Sequence, residues 1–290
     1  MRIAYHLGAH CTDEERLIRC LLKNRGVLGA QGIVVPPPSR YRTLLRDTAI
    51  QLKGAEATLE TQALVLEQIM AEDSATRLIL GWDNFLSFPN WALQGKFYPA
   101  AGERVRAFSR IFPGIETEYF LALRNPATFI PAIMAKEPAK DYDAVMAGAD
   151  PRSLRWSEMI GRLQAANPGA QMTIWCDEDT PLIWPEVVQA ISGHAGEAVL
   201  DGLQDVLEIV MSPVGLKRLQ AYIDNKGPFT MERRRRAVTA FLDKFATPEA
   251  ISYAINVPHW TADMVADMTS SYIADCEMIA TMPGVTFITA

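Results

Sequence analysis

Short apolar runs alternate with stretches of helical periodicity along the first two thirds of the chain. The runs rich in strand-forming residues predict strands at 2–7, 32–35, 77–81, 118–123 and 172–176. Between these runs, apolar residues recur every three to four positions, which predicts amphipathic helices. Strands this apolar, joined by helices, are typical of a parallel sheet that is covered on both faces. The pattern therefore predicts a three-layer α/β fold.

The last third of the chain has a different pattern. From Trp184 onward the sequence predicts helices alone, and we expect no further strand. The predicted helices cover 184–191, 202–211, 214–225, 231–245, 248–256 and 261–279. This change predicts an α/β core at 1–195 and a mostly helical subdomain at 196–290, packed on the core.

The residues that follow the predicted strands are the best candidates for a ligand site. In a parallel sheet the carboxyl ends of the strands meet at one edge, where such folds bind ligands. The candidates at these ends are Gly8, Ala9, His10, Cys11, Thr12, Arg40, Arg42, Trp82, Asp83, Asn84 and Arg124. We therefore expect them to surround one cleft.

Two kinds of side chain in this set, arginine and aspartate, suit a substrate that carries an acidic group or a hydroxyl group. Arg40 and Arg42 can bind an acidic group, and two exposed arginines at a helix start are an equally weighted alternative. Asp83 can act as a general base toward a hydroxyl group, although capping a turn is the commoner role for Asp and Asn after a strand. The predicted substrate contacts are therefore Arg40, Arg42, Trp82 and Asn84, with Asp83 as the predicted catalytic base.

The residues after the first strand allow two interpretations. Thr12 to Glu15 have the spacing of a capping box, in which Thr12 is the N-cap and Glu15 reaches back from the third helical position. A helix amino-terminus with free N–H groups also suits a phosphate group. Because capping signals are far commoner than phosphate-binding loops, the capped helix is the favoured interpretation, and the helix is predicted to begin at Thr12.

Composition and charge narrow the classes of function. The 290-residue chain has a net charge of -6, which argues against a protein that mainly binds nucleic acid. No apolar run is long enough to span a bilayer, and the amino-terminus lacks the regions of a signal peptide. The cysteines Cys11, Cys20, Cys176 and Cys276 have neither a metal-binding nor a disulfide-framework spacing. We therefore expect a cytoplasmic protein with reduced thiols, no bound metal, and a small-molecule or anionic ligand.

Three segments resemble the sulfotransferase-like P-loop family. HLGAHCT at 6–12 is similar to its first strand and phosphate-binding loop, LALRNP at 121–126 to its second signature, and MTIWCDE at 172–178 to a later strand. The resemblance implies a P-loop fold that binds 3′-phosphoadenosine 5′-phosphosulfate and transfers its sulfuryl group to a small hydroxyl acceptor. It also implies that Arg124 holds the 3′-phosphate, and that the 5′-phosphosulfate lies on Gly8, Ala9, His10, Cys11 and Thr12.

The phosphate-binding loop departs from the family pattern. Cys11 stands where the family has lysine, Asp13 replaces glycine, and Glu14 and Glu15 replace a pair of hydroxyl residues. Ala132 stands where a serine follows the arginine of the second signature. We therefore expect the fold to persist while binding of the cofactor is weak or absent. Two functions remain open: sulfuryl transfer with a degenerate cofactor site, or a non-catalytic anion-binding or protein-interaction module on the same fold.

Overall fold

The computed structural model describes residues 1–71, 74–195, 198–226, 230–252, 255 and 257–290. Among these residues, six strands form one parallel sheet in the order β2-β3-β1-β4-β5-β6. The strands are β1 (Arg2–Gly8), β2 (Ile33–Val34), β3 (Arg77–Gly81), β4 (Glu116–Leu123), β5 (Gln171–Cys176) and β6 (Val285–Ile288). The sheet confirms the predicted parallel arrangement and all five predicted strands.

Helices connect the strands. They are α1 (Arg16–Lys23), α2 (Arg25–Gly29), α3 (Pro38–Leu52), α4 (Leu59–Ile69), α5 (Ala101–Ser109), α6 (Pro126–Lys136), α7 (Tyr142–Met146), α8 (Trp156–Ala166), α9 (Thr180–Ser192), α10 (Leu207–Val210), α11 (Pro213–Lys226), α12 (Met231–Phe245), α13 (Pro248–Ile251) and α14 (Ala262–Ala280). Among the described residues, no helix combines the length and the apolar character needed to cross a bilayer. The predicted helix at 248–256 ends earlier than expected, and its positions 253, 254 and 256 lie outside the described residues.

Apolar residues on the two faces of the sheet explain the three layers. Side chains alternate between the faces along a strand, so Tyr5 of β1 belongs to one buried cluster and Ala4 to another. The first cluster includes residues of α5 and α8, and the second includes residues of α1 and α9. Because each face of the sheet is covered by helices, the fold is the predicted three-layer α/β sandwich.

The strand order places β1 in the middle of the sheet. Tyr5 of β1 pairs with Leu80 of β3 on one side and with Tyr119 of β4 on the other. The chain first builds the β2–β3 side and then crosses β1 to build β4, β5 and β6. Such a reversal marks the place where α/β sheets form a ligand crevice, outside the carboxyl ends of the strands. The connections after β1, β3 and β4 therefore share one edge, as predicted.

The prediction that no strand follows Trp184 is wrong. β6 pairs in parallel with β5, with Val285 opposite Met172, and α14 contributes Tyr272 and Ile279 to the main core. The four residues of β6 are too few to show a periodic pattern, and only their place beside β5 makes them a strand. By contrast, α11 and α12 pack around a small cluster of their own. The domain boundary at residue 195 stays a prediction.

Candidate functional site

The loop between β1 and α1 has a conformation that a helix cannot adopt. Cys11, Glu14 and Glu15 have φ angles of 60°, 48° and 64°, in the left-handed region that side chains rarely occupy. Consequently α1 begins only at Arg16. The predicted helix start at Thr12 is therefore wrong, and the chain forms an open loop at the centre of the sheet edge.

The predicted capping box is also absent. Thr12 Oγ1 donates a hydrogen bond to the carbonyl oxygen of Ala9 at 2.7 Å, inside the loop. Asp13 does the capping instead, because its Oδ2 accepts a hydrogen bond from the N–H of Leu17 at 2.9 Å. Glu15 turns away and pairs with Arg42. The acidic loop residues thus make separate contacts and do not form a single cap.

The side chain of His10 is fully buried and anchors the loop to the protein interior. Its N–H donates to Tyr98 Oη at 3.0 Å, and its Nδ1 lies 2.8 Å from the same oxygen. Its Nε2 lies 3.1 Å from Asn84 Oδ1 and 3.8 Å from Asp83 Oδ2, which are both acceptors. The ring proton is therefore on Nε2, and Tyr98 donates its hydroxyl proton to Nδ1. The His10 side chain faces these partners inside the protein, and Asn84 holds His10.

Burial governs the ionisation of His10 and Cys11. Burial lowers the pKa of His10 below its ordinary value, although the carboxylate of Asp83 opposes this effect, so the ring is neutral at pH 7. Burial raises the pKa of the Cys11 thiol to about 11, against a smaller opposing effect of Lys136. A thiol with this pKa is protonated at neutral pH and is a poor nucleophile. Neither side chain is suited to start covalent chemistry.

A cavity of about 200 Å³ is lined in part by residues of this loop. Of the predicted site residues, Gly8, Ala9, Cys11, Arg42, Trp82 and Asp83 line this first cavity. Arg42 reaches it from α3 and donates to Glu15 Oε1 at 2.6 Å and to the carbonyl oxygen of Gly81 at 2.9 Å. The side chain of Asp83 is 39% exposed, so its carboxylate is accessible to a ligand.

Lys136 also lines the first cavity and was not predicted. It is the last residue of α6, and its Nζ lies 3.3 Å from Glu14 Oε1. Its charge acts on both Cys11 and Asp83. Lys136 therefore brings a cation close to the position where the family pattern has its loop lysine. The sequence contains no signal for this, because the direction of α6 depends on its packing.

A second cavity of about 310 Å³ contains the predicted residues Thr12 and Arg124. Arg124 Nη1 donates to the carbonyl oxygen of Cys11, and its Nε donates to Thr128 Oγ1 at 3.1 Å. Asp177 at the end of β5 also lines this cavity, and burial, helped by the charge of Glu178, raises the pKa of Asp177 to about 7. Arg124 therefore supports the loop and faces a carboxyl group that is half ionised at neutral pH.

Arg40 lies apart from these cavities. It is exposed on α3, outside the residues that line either cavity, whereas Arg42 on the same helix lines the first. Two positions along an α-helix turn the side chain by about 200°, so the two arginines point in nearly opposite directions. Of the two alternatives for Arg40, the exposed arginine is the one observed. The expectation that all eleven candidates surround one cleft is wrong. Arg40, His10 and Asn84 line neither cavity, and Thr12 and Arg124 line the second cavity instead of the first.

The residues of the first cavity do not fit a polyanionic cofactor such as 3′-phosphoadenosine 5′-phosphosulfate. In the first cavity Asp13, Glu14, Glu15 and Asp83 outnumber the cations, and Glu14 and Glu15 already occupy the cations present. A carboxylate about 6 Å from a phosphate group costs on the order of 3 kcal/mol at an effective dielectric constant near 20. The predicted phosphate contacts would therefore have to overcome the repulsion of several carboxylates.

The fold is that of a three-layer α/β protein, and its two cavities lie at the carboxyl ends of the central strands. Comparison with protein-family models, with curated proteins and with solved structures finds no match to this chain. In the part of the chain that the structure describes, no group of three or more His, Cys, Asp or Glu side chains is arranged to hold a metal ion.

Proposed function

We propose that the protein is a non-catalytic binding module on a sulfotransferase-like fold, and that its first cavity takes a small organic carboxylate. One observation carries the proposal: among the described residues, the two cations that line this cavity, Arg42 and Lys136, each already hold a carboxylate of the chain itself. Arg42 binds Glu15 and Lys136 binds Glu14. A ligand carboxylate has the same charge and shape as the end of a glutamate side chain and can replace it.

The exchange costs little because the two ion pairs are exposed. The side chains of Glu14 and Glu15 are 49% and 52% exposed, so each can turn into solvent when a ligand enters. Ion pairs this exposed contribute roughly 0–1 kcal/mol. A ligand therefore gives up little in displacing them, and Lys136 and Arg42 become free to bind it.

The carboxylate of Asp83 favours a ligand that also carries an amino group. It faces the same cavity as Lys136 and Arg42, so an ammonium group can pair with it while the ligand carboxylate pairs with a cation. A cavity of about 200 Å³ suits a molecule the size of an amino acid. The proposed ligand class is thus a small carboxylate, with zwitterions bound more tightly than simple anions.

Isothermal titration calorimetry with acetate, glutarate and glutamate tests this function. We expect glutamate to bind with a dissociation constant in the high-micromolar to millimolar range, which is roughly -5.5 to -4 kcal/mol. Replacement of Lys136 by methionine should weaken binding about tenfold or more, which corresponds to about 1.4 kcal/mol. Lys217→Met, at an exposed position on α11, is the matched control. Absence of binding for all three ligands in the unmodified protein would overturn the proposal.

Sulfuryl transfer is the second candidate, and the position of Lys136 favours it. Lys136 can supply part of the charge that the loop lost with its lysine. Titration with adenosine 3′,5′-bisphosphate distinguishes the two functions: we expect binding no tighter than high-micromolar, and sub-micromolar binding would restore a sulfotransferase. In that case Asp83, exposed beside the cavity, would be the first base to test.

A rebuilt loop tests whether the carboxylates exclude the nucleotide. The variant combines Cys11→Lys, Asp13→Gly, Glu14→Thr and Glu15→Thr, which removes three negative charges and adds one positive charge. It should bind adenosine 3′,5′-bisphosphate at least about tenfold more tightly than the unmodified chain, because each nearby charge contributes on the order of 1–3 kcal/mol after screening. Circular dichroism must first show that the variant is folded. No gain in a folded variant would mean that this loop does not face a phosphate site.

A further inference from the structure

Two cysteines that lie 100 residues apart in the chain meet at the carboxyl end of β5. Cys176 is the last residue of β5, and Cys276 lies on α14. Their Sγ atoms are 3.6 Å apart, and both are free thiols. Neither cysteine lines the two cavities above, and the function proposed for the first cavity does not use them.

Both thiols line a third cavity of about 460 Å³ at this edge of the molecule. Cys176 is partly exposed, while Cys276 is buried. The cavity also contains the carboxylates Glu178, Asp179 and Glu277. A small neutral molecule can therefore reach Cys176, while an anionic one is repelled by the acidic lining.

We propose that Cys176 and Cys276 form a redox-active dithiol that a neutral hydroperoxide oxidises to an intramolecular disulfide. A disulfide bond is about 2.05 Å long, so the sulfur atoms must approach by about 1.5 Å from their present contact. The proposal requires that rotation of the two side chains supply this movement while β5 and α14 stay folded.

The local hydrogen bonds assign different roles to the two thiols. The contact with Cys276 lowers the pKa of Cys176, although burial and the charges of Asp179 and Glu178 act against it. The same contact, together with burial, raises the pKa of Cys276. Since the thiolate is the nucleophilic form, Cys176 attacks the oxidant and Cys276 resolves the product.

The chemistry balances with hydrogen peroxide as the oxidant. The Cys176 thiolate attacks one peroxide oxygen, an S–O bond forms, the O–O bond breaks, and hydroxide leaves and takes up a proton as water. Cys276 then attacks the sulfenic sulfur of Cys176, an S–S bond forms, the S–O bond breaks, and the departing hydroxide takes the Cys276 proton. Two thiols and one peroxide thus give one disulfide and two waters.

The disulfide would fasten α14 to the sheet beside the ligand cleft. Thr269 of α14 accepts a hydrogen bond from Asn125 Nδ2 at 3.0 Å, and Tyr272 donates to Glu178 Oε2 at 3.1 Å. Glu178 in turn accepts from the N–H of Asn125 at 2.8 Å and lines the second cavity. A covalent link one helical turn from Tyr272 would hold these contacts in place.

Peptide mapping after oxidation of the full chain tests the proposal. The reduced protein is treated with a small excess of hydrogen peroxide, remaining thiols are alkylated, and the digest is examined by mass spectrometry. We expect one linked peptide pair that contains Cys176 and Cys276, released by dithiothreitol. Cys11 and Cys20 are the internal controls: burial raises the pKa of each to about 11, so both should remain alkylated.

Single-cysteine variants test the assigned roles. In Cys276→Ser, peroxide should leave a sulfenic acid on Cys176 that dimedone traps. In Cys176→Ser, Cys276 should stay reduced. In the unmodified chain, oxidation should raise the melting temperature by at least about 4 °C, because the link closes a long loop. The double variant should show no such rise.

Three outcomes would overturn the proposal. The first is full alkylation of both cysteines after peroxide treatment. The second is a disulfide that joins two chains or includes Cys11 or Cys20. The third is oxidation of Cys176 to a sulfinic acid without a link to Cys276. Each can be read in the unmodified protein, so the test does not depend on whether a variant folds.

Discussion

Replacement of Asp177 by asparagine should stabilise the protein at alkaline pH and much less at mildly acidic pH. Asp177 directly follows β5 and lies near Arg124, and burial is the main cause that raises the pKa of its carboxyl group to about 7. In the unfolded chain the pKa returns to the ordinary value of 3.8. The folded protein therefore binds a proton at pH 6 that the unfolded chain has released, and folding is favoured there.

The direction and the size of the pH dependence of stability follow from the difference between these two pKa values. A raised pKa contributes stability that is complete below pH 3.8 and is lost as the pH rises through about 7. At pH 6 the folded state still holds about nine-tenths of a proton, while at pH 8.5 both states are ionised. One pKa unit corresponds to about 1.4 kcal/mol, so Asp177 contributes about 1.4 kcal/mol more stability at pH 6 than at pH 8.5. The contribution of an asparagine at this position to stability does not depend on pH, because its side chain does not titrate.

Urea denaturation of both proteins at pH 6 and pH 8.5 measures this effect. The free energy of unfolding of Asp177→Asn, relative to the unmodified chain, should be larger at pH 8.5 by about 1.4 kcal/mol. Asp243→Asn, at an exposed position on α12, is the matched control and should show no comparable change. An equal difference at the two pH values would refute the argument, because the ionisation of folded Asp177 would then not change between pH 6 and pH 8.5.

Two further predictions concern stability, and both are read by urea denaturation. Gly102→Ala should destabilise the protein by about 1–3 kcal/mol, because the new Cβ would lie 2.7 Å from the carbonyl oxygen of Arg162. In its control, Gly161→Ala, the new Cβ meets nothing within 4 Å, and the change should stabilise α8 by up to about 1 kcal/mol. Equal effects of the two substitutions would contradict the close contact between α5 and α8 in the structure. Asp275→Ala should cost about 2–5 kcal/mol, because Asp275 is buried and accepts hydrogen bonds from the N–H groups of Trp156, at 2.6 Å, and of Ser157, at 3.2 Å. A loss below about 1 kcal/mol would mean that water replaces the carboxylate.

The location of the cleft could be predicted from the sequence, but most of its chemistry could not. Gly8, Trp82 and Asp83 were expected at the site because they follow apolar strands, and a parallel sheet gathers strand ends at one edge. Lys136 was missed because it lies at the far end of a helix whose direction is set by packing. His10 was expected to face the cofactor, but it is buried against Tyr98, which is 88 residues away in the chain.

The sequence by itself determined the class of fold, because alternation of apolar strands with amphipathic helices is a local pattern that only a covered parallel sheet can bury. It also determined which charges stand in the loop after β1. Only the tertiary structure decided how those charges are used: Glu14 and Glu15 neutralise Lys136 and Arg42, which come from two other elements. Only the tertiary structure likewise decided that β6 is a strand and that Cys176 contacts Cys276. Pairings between distant segments depend on the packing of whole elements, which leaves no periodic trace in the sequence.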